Sequence, residues 1–294
     1  MTKTPADNTL DEAEKLWLAG ERQQARETFR RARLLYHENG DTAGEAQALT
    51  SLGDFEIETG HLPAAREAYA DARALYARDG DQRDQAGILV RLGELAHREG
   101  HNTDAVQFYA SARELYDSAS DYSGLAHVAK RLGHMERDQG RQDMALDHYG
   151  QALALYRRSG DTLGQAHALN AAGQLHRQLG HPDRAHQHFE QALELYREAG
   201  DALGEAATCH AQGRVLIELG NQPEAQGNFE AARHLFAATG HLKGEAEVLM
   251  DLGRLLTTSD PVRAHSAFKH AASLFKRLGD SRETDAAAEA GKFF

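Results

Sequence analysis

Disulfides, a signal peptide and membrane spans all lack support in this sequence. Its 294 residues include one cysteine, Cys209, so a disulfide framework is excluded and a reducing compartment is favoured. The opening segment, MTKTPADNTLDEAEKL, has no apolar core of the kind a signal peptide needs. No stretch comes near the roughly 18 consecutive apolar residues of a membrane helix. We therefore expect a cytoplasmic protein that does not enter a membrane.

Catalytic signatures and a surplus of positive charge are missing as well. The chain contains no HExxH, GxSxG or CxxC motif and no Walker loop, which predicts that it is not an enzyme and needs no cofactor. Cys209 stands beside Ala206 and Ala207 in an apolar-periodic segment, so we expect a buried structural thiol. Lys and Arg number 33 against 45 Asp and Glu, for a net charge of −12, which disfavours a nucleic-acid partner.

What the sequence does have is a repeat of 40 residues. Aspartates open successive copies at Asp41, Asp81, Asp121, Asp161 and Asp201, and glycines recur in step at Gly53, Gly93, Gly133, Gly173, Gly213 and Gly253. A fixed period of this length is typical of stacked helical or β arrays, in which each copy buries its apolar face against its neighbours.

Each copy contains two segments with helical periodicity. In the second copy the apolar positions are Ala46, Leu49, Leu52 and Phe55, followed by Ala65, Tyr69, Ala72, Leu75 and Tyr76. Glycine at the end of the second segment, at Gly40, Gly80, Gly160, Gly200 and Gly240, predicts a left-handed helix end, and the aspartate that follows predicts a cap for the next helix. Glycine inside a helix costs about 1 kcal/mol relative to alanine, so Gly53 and its equivalents predict the close approach of another helix.

These residues resemble the tetratricopeptide repeat. Leu52-Gly53 followed by Ala65, Tyr69 and Ala72 matches the family pattern of Leu-Gly, then Ala-x3-Phe and a later small residue, and the pattern returns in at least six copies. The period of 40 exceeds the usual 34 or so, and a Gly-Asp-x-x-Gly join replaces the terminal proline. Such longer repeats resemble those of polarity adaptors of the LGN/Pins type and of bacterial regulators.

The resemblance implies an all-α fold, a right-handed α-solenoid of about seven helix-turn-helix repeats with a C-terminal capping helix. The expected boundaries are a disordered N-terminus at 1–8, repeats at 9–40, 41–80, 81–120, 121–160, 161–200, 201–240 and 241–280, and a cap at 281–294. We expect Trp17 to be a core anchor in the short first helix. A one-residue deletion is expected between Thr257 and Pro261, and Phe293 and Phe294 are expected either to fold onto the cap or to be disordered.

Family resemblance also implies that the first helix of each repeat lines a concave peptide-binding groove. Carried over position by position, this gives candidate peptide-binding residues Arg91, His97, Arg98, His127, Lys130, Arg131, His134, Arg137, His167, Asn170, Gln174, Arg177, His210 and Arg214. Among the mapped positions of the third to fifth repeats, six cationic side chains face two acidic ones, a local charge of +4 in a chain of −12.

This charge distribution predicts an anionic linear partner, which is an acidic peptide, a C-terminal carboxylate or a phosphorylated segment, with Asn170 as a backbone clamp. Histidines at the same place would strengthen the attraction as the pH falls toward about 6.5. The alternative is that the cations pair with Glu94, Glu136 and Asp138 in solvated i,i+4 ladders of little consequence. The 17 histidines could include a stray metal site, but His127 and His134 are seven residues apart on one helix and form no complete ligand set, so we expect no metal.

Three functional classes fit these observations. The first is a peptide-binding adaptor, expected to be a monomer. The second is a regulatory sensor that tightens around a small peptide or metabolite and thereby changes its grip on a second protein. The third is a self-assembling scaffold, in which end repeats or acidic outer faces stack into oligomers. Fold resemblance alone does not choose among them.

Overall fold

The computed structural model describes residues 3–291, which form α-helices joined by short turns and include no β-strand. The helices are α1 (Pro5–Leu18), α2 (Arg22–Glu38), α3 (Thr42–Glu58), α4 (Leu62–Asp79), α5 (Gln82–Arg98), α6 (Asn102–Ser118), α7 (Tyr122–Asp138), α8 (Gln142–Ser159), α9 (Thr162–Gln178), α10 (Pro182–Ala199), α11 (Ala202–Glu218), α12 (Gln222–Thr239), α13 (Leu242–Leu256), α14 (Pro261–Arg277) and α15 (Ser281–Ala290). The predicted all-α class is confirmed.

The chain divides into two compact units, unit 1 (Met1–Met135) and unit 2 (Glu136–Phe294), with the boundary inside α7. Within each unit consecutive helices pack side by side, as α3 does on α4 in unit 1 and α9 on α10 in unit 2. We call the odd-numbered helices α1 to α13 the A helices and the even-numbered helices α2 to α14 the B helices. In the repeats that lie within one unit, one A helix therefore packs on one B helix.

The joins between repeats have the predicted caps. Gly160 takes a left-handed φ of 73° at the end of α8, and the Asp161 carboxylate then accepts the Gly164 N–H across 2.7 Å at the start of α9. The same N-terminal cap forms at Asp41, Asp81, Asp121 and Asp201. Ser120 stands where the other joins have glycine, and it too is left-handed, with φ 52°.

Aromatic side chains of the B helices lie on the glycines of the A helices. A Cβ placed on Gly173 would come within 2.7 Å of Phe189 Cε1, and one on Gly164 would meet the ring of Tyr156 from the preceding repeat. Corresponding pairs join Gly53 to Tyr69, Gly93 to Tyr109, Gly213 to Phe229, Gly253 to Phe268, Gly44 to Tyr36, Gly124 to Tyr116, Gly204 to Tyr196 and Gly244 to Phe236. The close neighbour expected at these glycines is therefore a ring of the adjacent helix.

Both ends of the described chain differ in detail from the sequence pattern. The first helix begins at Pro5, before the expected start at residue 9, because Thr4 and Asp7 form a reciprocal capping box. Trp17 packs edge-on against Phe29 and Phe55, as expected of a core anchor, and its indole N–H donates to Glu58 across 2.9 Å.

At the other end, α13 ends at Leu256 and α14 begins at Pro261. The register does shift by one residue here, but the expected deletion in the linker is wrong, because the linker is not shorter than the one between α11 and α12. Helix α13 is shorter instead, with 15 residues where α11 has 17. Helix α15 packs on α14 and buries Ala287. Phe293 and Phe294 lie outside the described residues. Among the helices that the structure describes, none combines the length and the apolarity needed to cross a membrane.

Candidate functional site

Every candidate residue predicted from the sequence lies on an A helix. Helix α5 contributes Arg91, His97 and Arg98; α7 contributes His127, Lys130, Arg131, His134 and Arg137; α9 contributes His167, Asn170, Gln174 and Arg177; and α11 contributes His210 and Arg214. The candidates fall in both compact units, those from Arg91 to His134 in unit 1 and those from Arg137 to Arg214 in unit 2.

In unit 1 the charged residues form an alternating ladder across three A helices. Asp54 on α3 accepts hydrogen bonds from the Tyr69 hydroxyl at 2.6 Å and from Arg91 Nε at 3.0 Å. Glu94, one turn after Arg91 on α5, pairs with Arg131 Nε of α7 at 2.5 Å. Two of the predicted cations are thus held by carboxylates of the preceding A helix, which cancels much of their positive field.

This pairing agrees with the second sequence-based interpretation in that Glu94 pairs with a candidate cation, but it differs from both interpretations in its geometry. The cations are not an uncompensated patch, and their partners lie on neighbouring helices rather than at i,i+4 on one helix. Partly buried cross-helix pairs are less screened by solvent than i,i+4 ladders on an open surface. Arg98 remains exposed, while His97 Nδ1 lies 2.8 Å from the Asn102 side-chain oxygen at the start of α6.

The pH dependence expected of the histidines is wrong for His127. Burial, reinforced by the nearby charges of Arg131, Lys130 and Arg91, lowers the pKa of His127 to about 3. Its Nε2 accepts a hydrogen bond from Arg131 Nε at 3.1 Å, so this nitrogen carries no proton. His127 therefore stays neutral at pH 6.5 and adds no positive charge to the surface.

In unit 2 several candidates are engaged with nearby side chains. Arg137 donates to Asp138, the next residue, at 3.0 and 2.8 Å. Asn170, the expected backbone clamp, donates from Nδ2 to Thr208 Oγ1 at 3.0 Å. The ring of His167 contacts Tyr196, with its Nδ1 2.7 Å from the hydroxyl.

Asp251 on α13 is the centre of a charge cluster in unit 2. His210 Nε2 lies 2.9 Å from its Oδ2, Arg214 Nε lies 2.6 Å from the same oxygen, and Arg254 lies 2.9 Å from Oδ1. Burial alone would raise the pKa of Asp251, but the hydrogen bonds from His210 and Arg214 outweigh it and lower the pKa to about 2. This carboxylate fixes the positions of two guanidinium groups.

These guanidinium groups line the arginine groove, an open cavity of about 560 Å³ in unit 2. Its walls are Arg177, Arg214, Ile217, Glu218, Gln222, Phe229, Asp251, Arg254, Leu255 and Thr258. Three arginines face two carboxylates, and Arg177 lies 3.4 Å from Glu218. Ile217 is 40% exposed and supplies an apolar patch beside the charges. The groove can accept an anionic group and an aliphatic side chain together.

The candidate residues predicted from the sequence end at Arg214 and do not include Asp251 or Arg254, and the pairing between A helices was not predicted. The sequence does contain a signal for this pairing, because oppositely charged residues recur at separations of 37 and 41 residues. Asp54 and Arg91, Glu94 and Arg131, and Arg214 and Asp251 are 37 apart, and Arg177 and Glu218 are 41 apart. One repeat plus or minus a few residues brings the same face of the next A helix into contact.

Metal ligation and thiol chemistry find little support in the described residues. No group of three or more His, Cys, Asp or Glu side chains is arranged there to hold a metal ion. Cys209 is 1% exposed, as the sequence predicts, and burial raises the pKa of its thiol to about 11.

Two family models match the chain. The tetratricopeptide repeat model matches residues 84–158 and 125–198, and the model of the soluble NSF attachment protein, SNAP, matches residues 2–114 and 166–292. Each SNAP match spans less than half of the chain, and a model that matches at two separate places is detecting repeated hairpins. Together the matches run from residue 2 to residue 292. No curated protein matches the chain.

Solved structures repeat the same fold at low sequence identity. Aspartyl phosphate phosphatase F from Bacillus subtilis is 13% identical, with a TM-score of 0.69 over 95% of this chain and 71% of that chain. The apo quorum sensor NprR from B. thuringiensis is 13% identical, with a TM-score of 0.60 over 97% and 85%. BtubC from P. vanneervenii is 21% identical, with a TM-score of 0.60 over 81% and 93%. At these identities the likeness concerns the fold alone.

Proposed function

The chain belongs to the tetratricopeptide-repeat family, and we propose that it is a non-enzymatic interaction scaffold whose A helices bind a linear, acidic peptide segment. Hairpin repeats are interaction modules in which the repeated helices present an extended surface to a partner. The partner is a protein or peptide, and the scaffold itself is a monomer in the cytoplasm.

The arginine groove is the observation that carries this proposal. Arg214 and Arg254 are held by Asp251, so they need little reorganisation when an acidic side chain arrives. Each of these guanidinium groups uses some of its N–H groups to bind Asp251, and the remaining N–H groups can donate to a second carboxylate. Ile217 and Leu255 beside them favour an aliphatic residue next to the acidic one.

The ion pairs of the alternating ladder in unit 1 limit where the acidic residue of the ligand can bind. Arg91 and Arg131 are already paired with Asp54 and Glu94, so an acidic ligand would have to compete for them. The arginine groove has one arginine more than it has carboxylates. We therefore place the acidic residue of the ligand in unit 2 rather than on the ladder.

A regulatory sensor is the second candidate. Two of the structural neighbours are described as a quorum sensor and as a Rap protein complexed with Competence and Sporulation Factor, and both share this fold at 13% and 14% identity. A sensor and an adaptor would use the same groove. They differ in whether the bound chain changes its hydrodynamic radius.

Selection from a phage-displayed library of random linear dodecapeptides tests the proposal. Wild type should enrich peptides with Asp or Glu next to an aliphatic residue, and Arg214→Ala/Arg254→Ala should bind the best of them at least about tenfold more weakly. Arg157→Ala/Arg158→Ala removes the same charge from exposed sites on α8 and serves as the matched control. Circular dichroism checks that both variants fold.

Two results would contradict the proposal. One is the absence of any enriched peptide, and the other is equal weakening by both double variants, which would indicate a general charge effect. Sedimentation with and without the best peptide then separates the adaptor from the sensor, because only the sensor changes its sedimentation coefficient beyond the added mass. Concentration-dependent sedimentation without peptide would instead favour self-assembly.

A further inference from the structure

A second groove lies in unit 1, between the B helices α2 and α4. This α2/α4 groove has a volume of about 350 Å³ and is lined by Arg30, Arg33, Leu34, Leu49, Leu52, Glu56, Ala64, Glu67, Ala68 and Asp71. None of these residues belongs to the candidate set on the A helices. The peptide-binding proposal leaves this groove without a role.

The groove exists because one wall has small side chains above a leucine floor. Leu49 and Leu52 of α3 are 1% and 8% exposed and form the floor, while Ala64 and Ala68 form the α4 side. Forty residues after Ala68 the next repeat has Phe108, which is partly buried against the core of Tyr69, Ala72 and Leu92. A phenylalanine at position 68 would project into the groove.

A smaller groove of about 130 Å³ occupies the corresponding place between α12 and α14 in unit 2. Its residue equivalent to Ala68 is Ala267, whereas the intervening repeats have Phe108, His148, His188 and Asn228 there. Both grooves thus coincide with alanine at this position. The unit 2 groove is smaller because Arg263 crosses it to Glu230 at 2.6 Å, where unit 1 has Ala64 and Arg30.

The two walls of the α2/α4 groove have opposite charge. Arg30 and Arg33 stand on α2, and Glu67 and Asp71 stand on α4. Only Arg33 reaches across, to Asp71 at 3.8 Å, and it also contacts Glu45 at 3.3 Å. Glu56, 2% exposed, lies at the base and is neutralised by the bidentate Arg26. Of the four rim charges, Arg30 and Glu67 form no ion pair with another described residue, so these two remain available to a ligand.

An exposed apolar side chain marks the rim. Leu34 is 57% exposed, although the corresponding residues in later repeats are Ala74, Glu114, Ala154, Glu194 and His234. A large aliphatic residue in water beside a leucine-floored groove favours an apolar ligand. Two helices with a floor between them offer the geometry in which a third helix packs by placing its side chains in the groove.

We propose that the α2/α4 groove docks an amphipathic helix of a partner protein. The helix places a bulky apolar side chain above Leu49 and Leu52, an acidic residue against Arg30 and a basic residue against Glu67. This surface is separate from the arginine groove. The protein would then hold a peptide segment on its A helices and a second protein on its B helices.

A yeast-displayed library of helical peptides, with one face randomised, provides the test. Full-length wild type should enrich helices with a central large apolar residue, Asp or Glu on one flank and Lys or Arg on the other. Ala68→Phe should reduce binding of these helices at least about tenfold by filling the groove. Ala267→Phe makes the same change in the unit 2 groove and should stay within about twofold of wild type.

Further variants distinguish the possible outcomes. Arg30→Glu reverses one wall without touching the core and should weaken binding several-fold even if Ala68→Phe fails to fold. Arg214→Ala/Arg254→Ala should leave helix binding unchanged, which separates this site from the peptide site. The proposal is overturned if no helix is enriched, if the enriched sequences lack the two-sided charge pattern, or if they bind Ala68→Phe as well as wild type.

Discussion

Arg131 Nε donates a hydrogen bond to Nε2 of His127, one turn earlier on α7, across 3.1 Å. The same guanidinium group contacts Glu94 of α5. One arginine therefore satisfies a carboxylate on the neighbouring helix and adds to the burial that lowers the pKa of an imidazole on its own helix. Arg131 is a structural residue of unit 1 as well as a candidate binding residue.

The first prediction concerns pH. The pKa of His127 is about 3 in the folded chain and about 6.5 when unfolded, so the unfolded chain binds more protons between these values and stability falls as pH drops below 6.5. His127→Gln keeps an acceptor but cannot titrate, so its loss of thermal stability between pH 7 and 4 should be smaller. Exposed His234→Gln is the control and should follow wild type. Parallel melting curves for His127→Gln and wild type would contradict this account.

The second prediction concerns Asp251. Its pKa of about 2 lies below the ordinary 3.8, so its stabilisation is present above about pH 4 and is lost as pH falls toward 2. Asp251→Asn should lower the free energy of unfolding by about 2 kcal/mol at pH 7, and the difference from wild type should shrink below pH 4. Urea unfolding across this range measures it. Exposed Asp285→Asn should show no such difference, and a pH-independent penalty at Asp251 would argue against the ionic cause.

The third prediction compares two glycines in unit 2. Gly173→Ala should destabilise by about 1–3 kcal/mol, because its Cβ would fall 2.7 Å from the ring of Phe189, which is fully buried and cannot move aside. Gly150→Ala in α8 meets nothing within 4 Å and should stabilise by about 0.5–1 kcal/mol through higher helix propensity. Denaturant titration should give opposite signs for the two variants. Equal effects would mean that the ring does not rest on the glycine.

The fourth prediction concerns the left-handed Ser120. A non-glycine residue at φ 52° is strained, so Ser120→Gly should stabilise by about 0.5–1 kcal/mol. Ser111→Gly, at an exposed site within α6, should instead destabilise by about 0.5–1 kcal/mol. Thermal melting of the pair provides the measurement. A loss of stability at Ser120→Gly would contradict the assigned backbone conformation.

Features that depend on short stretches of chain could be predicted from the sequence. The caps at Asp41 and Asp161, the left-handed glycines and the alternation of two helices per repeat follow from local stereochemistry and from the apolar period. The early start of α1 is also local, but Thr4 and Asp7 were not recognised as a capping box because the apolar period becomes visible only from Leu10.

The candidate site was harder to predict because its chemistry depends on contacts between repeats. Family resemblance placed Arg91, Arg131 and Arg214 on the correct helices, but not their pairing with carboxylates 37 residues away. Burial decides the charge state of His127, and burial is a property of the packed helices. The α2/α4 groove depends on two small side chains, those of Ala64 and Ala68, which no apolar pattern distinguishes from those of other alanines.

The rings that rest on glycines make most junctions between neighbouring repeats alike, the exception being the one at Asp84, where no glycine lies under the ring of Tyr76. Residues 161–200 carry Gly164, which takes the ring of Tyr156 from the repeat before, and Tyr196, which offers a ring to Gly204 of the repeat after. Gly173 and Phe189 complete the contact inside the segment. Such a stretch contains one glycine that receives a ring from the preceding repeat and one ring that packs on a glycine of the following repeat. If a copy of this stretch were added or removed, a ring would still meet a glycine at the new junction. A chain of this kind can therefore lengthen or shorten by whole repeats rather than by individual residues.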